Sequence, residues 1–289
     1  MTFGGFIQPD EQAQDQTKLA EHFGITIYSG YQSVSQSRKH AGQNRIYDRV
    51  ADRLAALDLG YEDQCSAKYY YDLVRTLRDL NGQFDRVVEV GVFMGGSTSY
   101  LAGCMQPFDF DLDLVDVSAD FLRFSYERVR RMYPEAATRI RLFHGDLPSY
   151  VRHGMLANTT SRYIIHHDGA HDFNQVVKDM ASLSFVRDKI EAIIAQDTHL
   201  RGTIDHMNFV DMALFAVFGM DLKFATIGEA YPEGPMTQPN AYQGNYFLPG
   251  AAEGVVLPMA ANTFQYPHPM LLMDDFLPPA LEHASASAA

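Results

Sequence analysis

Residues 87–103 read VVEVGVFMGGSTSYLAG, and the folding of this stretch decides how the rest of the chain is read. A short β-branched run ends at a glycine, two more glycines follow, and residues able to form a helix come next. This is the pattern of a strand, a turn and a helix start. Gly91 lets the chain turn sharply, Gly95 and Gly96 let the backbone approach a ligand without a Cβ in the way, and Ser97 can cap the helix. A tight loop with no ligand could use the same glycines, so their spacing matters. The dinucleotide fingerprint is G-x-G-x-x-G, with amides and a helix dipole facing a pyrophosphate. Here Glu89, Val90 and Gly91 are followed by three residues and then Gly95. That order departs from the fingerprint and disfavours a nicotinamide oxidoreductase.

Outward from this stretch, strands and helices alternate. FDLDLVDVS (110–118), RIRLFHGD (139–146), SRYIIHHDG (161–169) and IEAIIAQDTH (190–199) are apolar runs that end in polar residues. Between them, STSYLAGCM (97–105), ADFLRFSYERVRRMYP (119–134) and FNQVVKDMASLSFV (173–186) have helical spacing, the second stopping at Pro134. Such alternation predicts a parallel sheet with helices on both faces. Residues 221–250, DLKFATIGEAYPEGPMTQPNAYQGNYFLPG, read as two more strands around a Pro/Gly/Asn-rich turn. The expected fold is therefore α/β and Rossmann-like: a mostly parallel, seven-stranded sheet with an antiparallel strand at its edge.

Upstream, RIYDRVADRLAALDL (45–59) and AKYYYDLVRTLRDL (67–80) suit two amphipathic helices, covering either the sheet or a partner subunit. Residues 1 to about 35 read as a partly extended arm, either a solvated leader or a lid or dimer arm. The expected organisation is an N-terminal arm and helices over 1–80, a catalytic domain over 81–250, and a C-terminal extension over 251–289 ending in the low-complexity EHASASAA.

Composition narrows the function. A chain of 289 residues with 46% hydrophobic and 20% charged content can bury a sizeable core. It has no apolar run near the roughly 20 residues that a membrane helix needs, and its start lacks a secretion signal. Only Cys65 and Cys104 are present, which fits a reducing compartment and a cytoplasmic location. A net charge of −13 argues against broad contact with a nucleic acid backbone, so the expected partner is a small molecule.

The element Glu89–Gly91–Gly95 resembles the E-x-G-x-x-x-G motif of class I S-adenosylmethionine (SAM)-dependent methyltransferases. Two more residues extend the resemblance. It implies that Asp116, one βα unit on, accepts both ribose hydroxyls, and that Asp146, ending the next strand, meets the adenine amino group. The stretches HHDGAHDF (166–173) and IIAQDTHLRG (193–202) are similar to the DGxH and DD elements of the macrocin O-methyltransferase-like and cephalosporin hydroxylase-like group, over roughly residues 85–205. In metal-dependent members of that group, one aspartate and two adjacent acids hold magnesium. By position, Asp168 matches the first ligand, beside the cofactor, and Asp197 the last; the middle position is Gln196, an amide. A hard cation held by two carboxylates and an amide is bound more weakly, with waters completing its shell. The nearby histidines 166, 167, 171, 199 and 206 leave open a softer ion such as Mn²⁺, Fe²⁺ or Zn²⁺.

The resemblance also implies that His171, three residues after Asp168, is the general base. An alcohol attacking a sulfonium methyl must lose its proton, and imidazole accepts protons near neutral pH. His199 is the reserve base, whereas strand alternation turns at least one of His166 and His167 into the packed core. The alternative for His171 is a cap on the following helix. Residues 228–247 and 258–276, rich in Tyr, Phe, Met and Pro, could line an acceptor pocket or cover an interface. The leading expectation is a metal-assisted O-methyltransferase of a small natural product or sugar-bearing metabolite. Its alternatives are a metal-free N-methyltransferase, a non-catalytic SAM-binding or oxidative partner protein, and the nicotinamide enzyme.

Overall fold

The structure, a computed structural model, describes residues 3–26, 39–57, 65–201, 208–230 and 246–265. Its strands are β1 (Gly5–Ile7), β2 (Arg86–Val90), β3 (Asp111–Asp116), β4 (Ile140–His144), β5 (Tyr163–His167), β6 (Ile190–Gln196), β7 (Leu200–Arg201), β8 (Ala225–Ala230), β9 (Tyr246–Phe247) and β10 (Ala252–Pro258). Eight of them form one sheet in the order β1-β4-β3-β2-β5-β6-β10-β8, while β7 and β9 pair separately. β4, β3, β2, β5 and β6 are parallel, and β10 runs antiparallel to both β6 and β8. The order reverses between β2 and β5, so the loops after these two strands flank a crevice at the carboxyl end of the sheet.

The fold class is the expected one, with two differences in which segments build it. The partner of β8 is not the segment before residue 250 but β10, which lies inside the sheet rather than in a C-terminal extension. Residues 246–247 pair instead with β7. The antiparallel strand is thus second from the edge, and β8 is the outer strand. The N-terminal arm adds an eighth strand, because β1 pairs antiparallel with β4 through Gly5↔His144, Phe6↔Phe143 and Ile7↔Leu142. The low-complexity tail lies outside the described residues.

The helices are α1 (Leu19–His22), α2 (Arg45–Ala56), α3 (Ala67–Asp79), α4 (Gly96–Phe108), α5 (Ala119–Met132), α6 (Leu147–Tyr150), α7 (Phe173–Ser182) and α8 (Val210–Phe218). Side-chain caps start several of them: Asn44 accepts from Ile46 N and Tyr47 N, Ser66 from Tyr69 N, Ser118 from Phe121 N and Asp172 from Gln175 N. α2 to α5 pack one face of the sheet around Leu73, Leu77, Tyr100, Leu114 and Ile164. α6 to α8 pack the other around Val88, Ile165, Met180, Ile193 and Leu214. Period-two alternation assigns the faces: Val87 joins the first core and Val88 the second.

Candidate active site

A cavity of about 550 Å³ opens at the strand-order reversal. Its walls come from the loop after β2, the ends of β3 and β4, and the segment after β5. The turn after β2 could not be built with another residue at position 91. Gly91 sits at φ +80°, and a Cβ there would lie 2.2 Å from the Asp168 carbonyl oxygen and 2.4 Å from Gly169 Cα. The glycine thus brings the two loops flanking the crevice together. Gly95, at φ +75°, is the residue before α4, so glycine and not Ser97 starts that helix.

Ser97 is the second residue of α4, lines the cavity, and donates its hydroxyl to Glu89 Oε1. Glu89 itself is fully buried beneath the loop and is not among the cavity-lining residues. Burial pushes its carboxyl up to about 7. His166 Nδ1 approaches Glu89 Oε1 at 3.7 Å, but burial pushes His166 down to about 3, so this contact is not an ion pair at neutral pH.

Asp116 and Asp146 both line the cavity. Asp116 takes Val92 N at 2.9 Å on one oxygen and Ser118 N at 2.7 Å on the other. Burial raises its carboxyl pKa, and these amides oppose the rise. Asp146 accepts from Ser149 N at 2.9 Å and thereby caps α6. Both acids are held by local backbone, leaving spare lone pairs for a ligand.

The other end of the cavity is charged. Asp168, His171 and Asp197 each bring one ligand-type atom within 4.8 Å of the others. His171 Nε2 lies 3.0 Å from Asp197 Oδ2, a close ion pair without the alignment of a hydrogen bond. Asp197 occupies a left-handed backbone conformation, φ +58°, rare outside glycine and tolerated by aspartate. Burial opposes charge on both partners, yet their attraction prevails, raising the His171 pKa and lowering that of Asp197. Asp168 goes the other way: burial, then the Asp197 charge, holds its carboxyl well above the usual range.

Gln196 is buried, 3% exposed, and its amide has two settings. In one, nitrogen donates to Asp168 at 2.5 and 3.1 Å. In the other, nitrogen meets Cys65 Sγ at 2.9 Å and oxygen faces the Asp168 carboxylate. The first satisfies every group without a cation. The second sets the Gln196 oxygen against the Asp168 carboxylate, acceptor against acceptor, which needs a cation or a proton between them. Asp168, Asp197 and His171 thus offer two carboxylates and an imidazole, a donor set that suits a divalent ion of mixed N/O preference better than one that takes oxygens alone.

His199 interacts with the Asp197 charge but brings no ligand atom into the three-residue group. It is 2% exposed, does not line the cavity, and burial pushes it down to about 4. His166 and His167 are both core residues: His166 Nε2 pairs with Tyr69 Oη at 2.9 Å, and His167 Nε2 with Asp179 Oδ2 at 2.9 Å. Residue 206 and most of the two aromatic-rich acceptor segments lie outside the described residues. The cavity wall also includes Phe3, Cys65, Tyr70, Gln175 and Asp179, which motif reading missed. Gln175 and Asp179 had a local trace, being polar at i and i+4 on one helix and bonded at 2.7 Å. Phe3, Cys65 and Tyr70 arrive from distant sequence and left none. Among the described residues, no helix is long and apolar enough to cross a membrane.

No protein-family profile matches the chain, and no curated protein does. Solved structures do resemble it. TrmK from M. capricolum, in complex with S-adenosyl-homocysteine, is 10% identical over 68% of this chain and 71% of its own, with TM-score 0.41. A SAM-dependent O-methyltransferase from Thermotoga maritima is 12% identical over 74% and 71%, with TM-score 0.43. The O-methyltransferase TomG from Streptomyces achromogenes, in complex with SAM, is 14% identical over 74% and 90%, with TM-score 0.42. Identities this low speak to fold alone, and TM-scores of this size add nothing to what the strand order shows.

Proposed function

We propose that this chain is a SAM-dependent O-methyltransferase acting on a hydroxyl of a small natural product or sugar-bearing metabolite. The observation that carries the reading is a single cavity lined at one end by Gly91, Gly96, Ser97, Asp116 and Asp146 and at the other by Asp168 and His171. In this reading Asp116 accepts the ribose hydroxyls and Asp146 the adenine amino group, while the glycine loop leaves room for the methionine portion. Its volume, about 550 Å³, lies in the range of small-molecule sites.

The acceptor hydroxyl lies beside His171. As its oxygen forms a bond to the methyl carbon, the carbon–sulfur bond breaks, the hydroxyl proton passes to the imidazole, and S-adenosyl-homocysteine leaves. Asp197, 3.0 Å from His171 Nε2, orients the ring and stabilises the imidazolium that results. The cationic sulfonium favours an uncharged His171 before transfer, the form a base requires. Asp168 and Asp197, with the Gln196 oxygen, would hold a divalent cation, which supplies Lewis acidity toward the acceptor hydroxyl and lowers its pKa. If His171 completes that shell, it cannot also take the proton.

Calorimetric titration with SAM, S-adenosyl-homocysteine and NADH tests the donor. Saturable binding of the two adenosyl compounds with none of NADH is the expected result; the reverse selectivity ends the proposal.

A further inference from the structure

The N-terminal strand does more than lengthen the sheet. Because β1 runs antiparallel to β4, the residues preceding it arrive at the carboxyl end of β4, where the cavity opens. The approach is tight. Gly4 N donates to His144 O at 2.7 Å, and a Cβ on Gly145 would lie 3.3 Å from Gly4 Cα and 2.7 Å from the Phe143 ring. Gly4 turns at φ +86°, and Phe3 then crosses the His144 ring edge-to-face at 5.6 Å and enters the cavity wall. The same wall includes Val117, Gly145, Asp146 and Leu147, from the ends of β3 and β4.

Phe3 and Val117 are 43% and 65% exposed, unusual for apolar side chains that flank a cavity. Phe6, within β1 and also 43% exposed, packs instead on Phe143 and Tyr150 under Arg141, outside the cavity wall. The N-terminal arm thus carries two equally exposed phenylalanines, of which only Phe3, just before β1, lines the cavity.

We infer that Phe3 closes the adenine end of the cavity, covering with Val117 and Leu147 the flat apolar ring whose amino group meets Asp146. This rests on the adenosyl reading of the site. An aromatic ring matches a purine face or edge through apolar contact and quadrupole complementarity, and Phe3, 43% exposed in the wall, has apolar surface to bury on a purine. Recognition of the adenosyl group then depends on the N-terminal strand, which lies more than a hundred residues from the loops it completes.

Calorimetric titration of the full chain with S-adenosyl-homocysteine and with 5′-methylthioadenosine tests this. Phe3→Ala is expected to weaken both by the same factor, roughly tenfold. Phe3→Tyr should restore most of the loss, and Phe6→Ala should stay within about twofold of the parent chain. Unchanged affinity in Phe3→Ala overturns the inference while leaving the adenosyl reading intact. Equal losses in Phe3→Ala and Phe6→Ala overturn it as well, since they would trace the effect to docking of the strand. A loss confined to S-adenosyl-homocysteine would put Phe3 away from adenine. If the parent chain binds neither compound, the adenosyl reading itself falls.

Discussion

The two ends of the cavity handle buried charge in opposite ways. At the glycine end, each acid is held by amides close to it in sequence or on the neighbouring strand: Asp116 by Val92 N and Ser118 N, Asp146 by Ser149 N. At the other end Asp168 and Asp197 crowd together, and what offsets them is an imidazole and a neutral amide. A site whose carboxylates are satisfied by fixed backbone is prepared to receive neutral hydroxyl and amino groups. A site whose carboxylates are not so satisfied is prepared to receive positive charge, whether a proton, a sulfonium or a metal ion. On the proposed reading, the contrast assigns binding to one end and chemistry to the other.

That division breaks if the charged end proves dispensable. His171→Ala should lower turnover by roughly a thousandfold while S-adenosyl-homocysteine affinity, read by calorimetry, changes less than threefold. Parallel losses of both would merge the two ends into one binding site. Gly91→Ala strikes the point where they meet, since its Cβ would press on the Asp168 carbonyl. The expected cost is about 2 kcal/mol or more in denaturant unfolding, and parent-like stability would show that the loops are not locked together.

A smaller effect sharpens the account of the acids. Gln196→Glu supplies a third carboxylate and should tighten Mn²⁺ binding roughly tenfold by calorimetry. In the parent chain, a chelator should reduce methyl transfer to an alcohol, and Mn²⁺ should raise the melting temperature. Activity and melting temperature indifferent to both treatments would leave His171 alone as the activating group.

The mildest test concerns Glu89, under the glycine loop. Buried and pushed up to about 7, it keeps its proton in the folded chain after the unfolded chain, near its ordinary value of 4.5, has lost it. Its contribution is therefore fullest at low pH, and stability declines as pH rises from about 4.5 toward 7. Glu253, also pushed up to about 7, acts in the same direction. Glu89→Gln keeps the Ser97 contact without the ionisation, so its melting temperature at pH 8 should exceed that of the parent by about 2–4 °C, with no gain at pH 5. A parallel pair of pH curves would mean Glu89 is not the titrating group.

How much of this was legible in the sequence depended on the range of the interaction. The turn at Gly91 and Gly95 and the strand ends at Asp116 and Asp146 are local features, set by neighbours a few residues away. Ser97 was misjudged as a cap because its buried hydroxyl–carboxylate pairing with Glu89 is invisible in a motif. Placing β10 required knowing which of two apolar runs after residue 230 enters the sheet, and period alone does not choose between them. His199 was attractive by proximity to Asp197 in sequence, and it does feel the Asp197 charge, but it is buried and does not line the cavity.

By itself, then, the sequence determined a parallel α/β sheet with a glycine turn and acids at successive strand ends, because hydrophobic period and turn chemistry act over short spans. Only the tertiary structure decided that Asp168, His171 and Asp197 meet, that Gln196 faces Asp168, and that Phe3 reaches the cavity. Those contacts join distant segments whose proximity follows from strand order, and strand order emerges from packing the whole sheet between its two layers of helices.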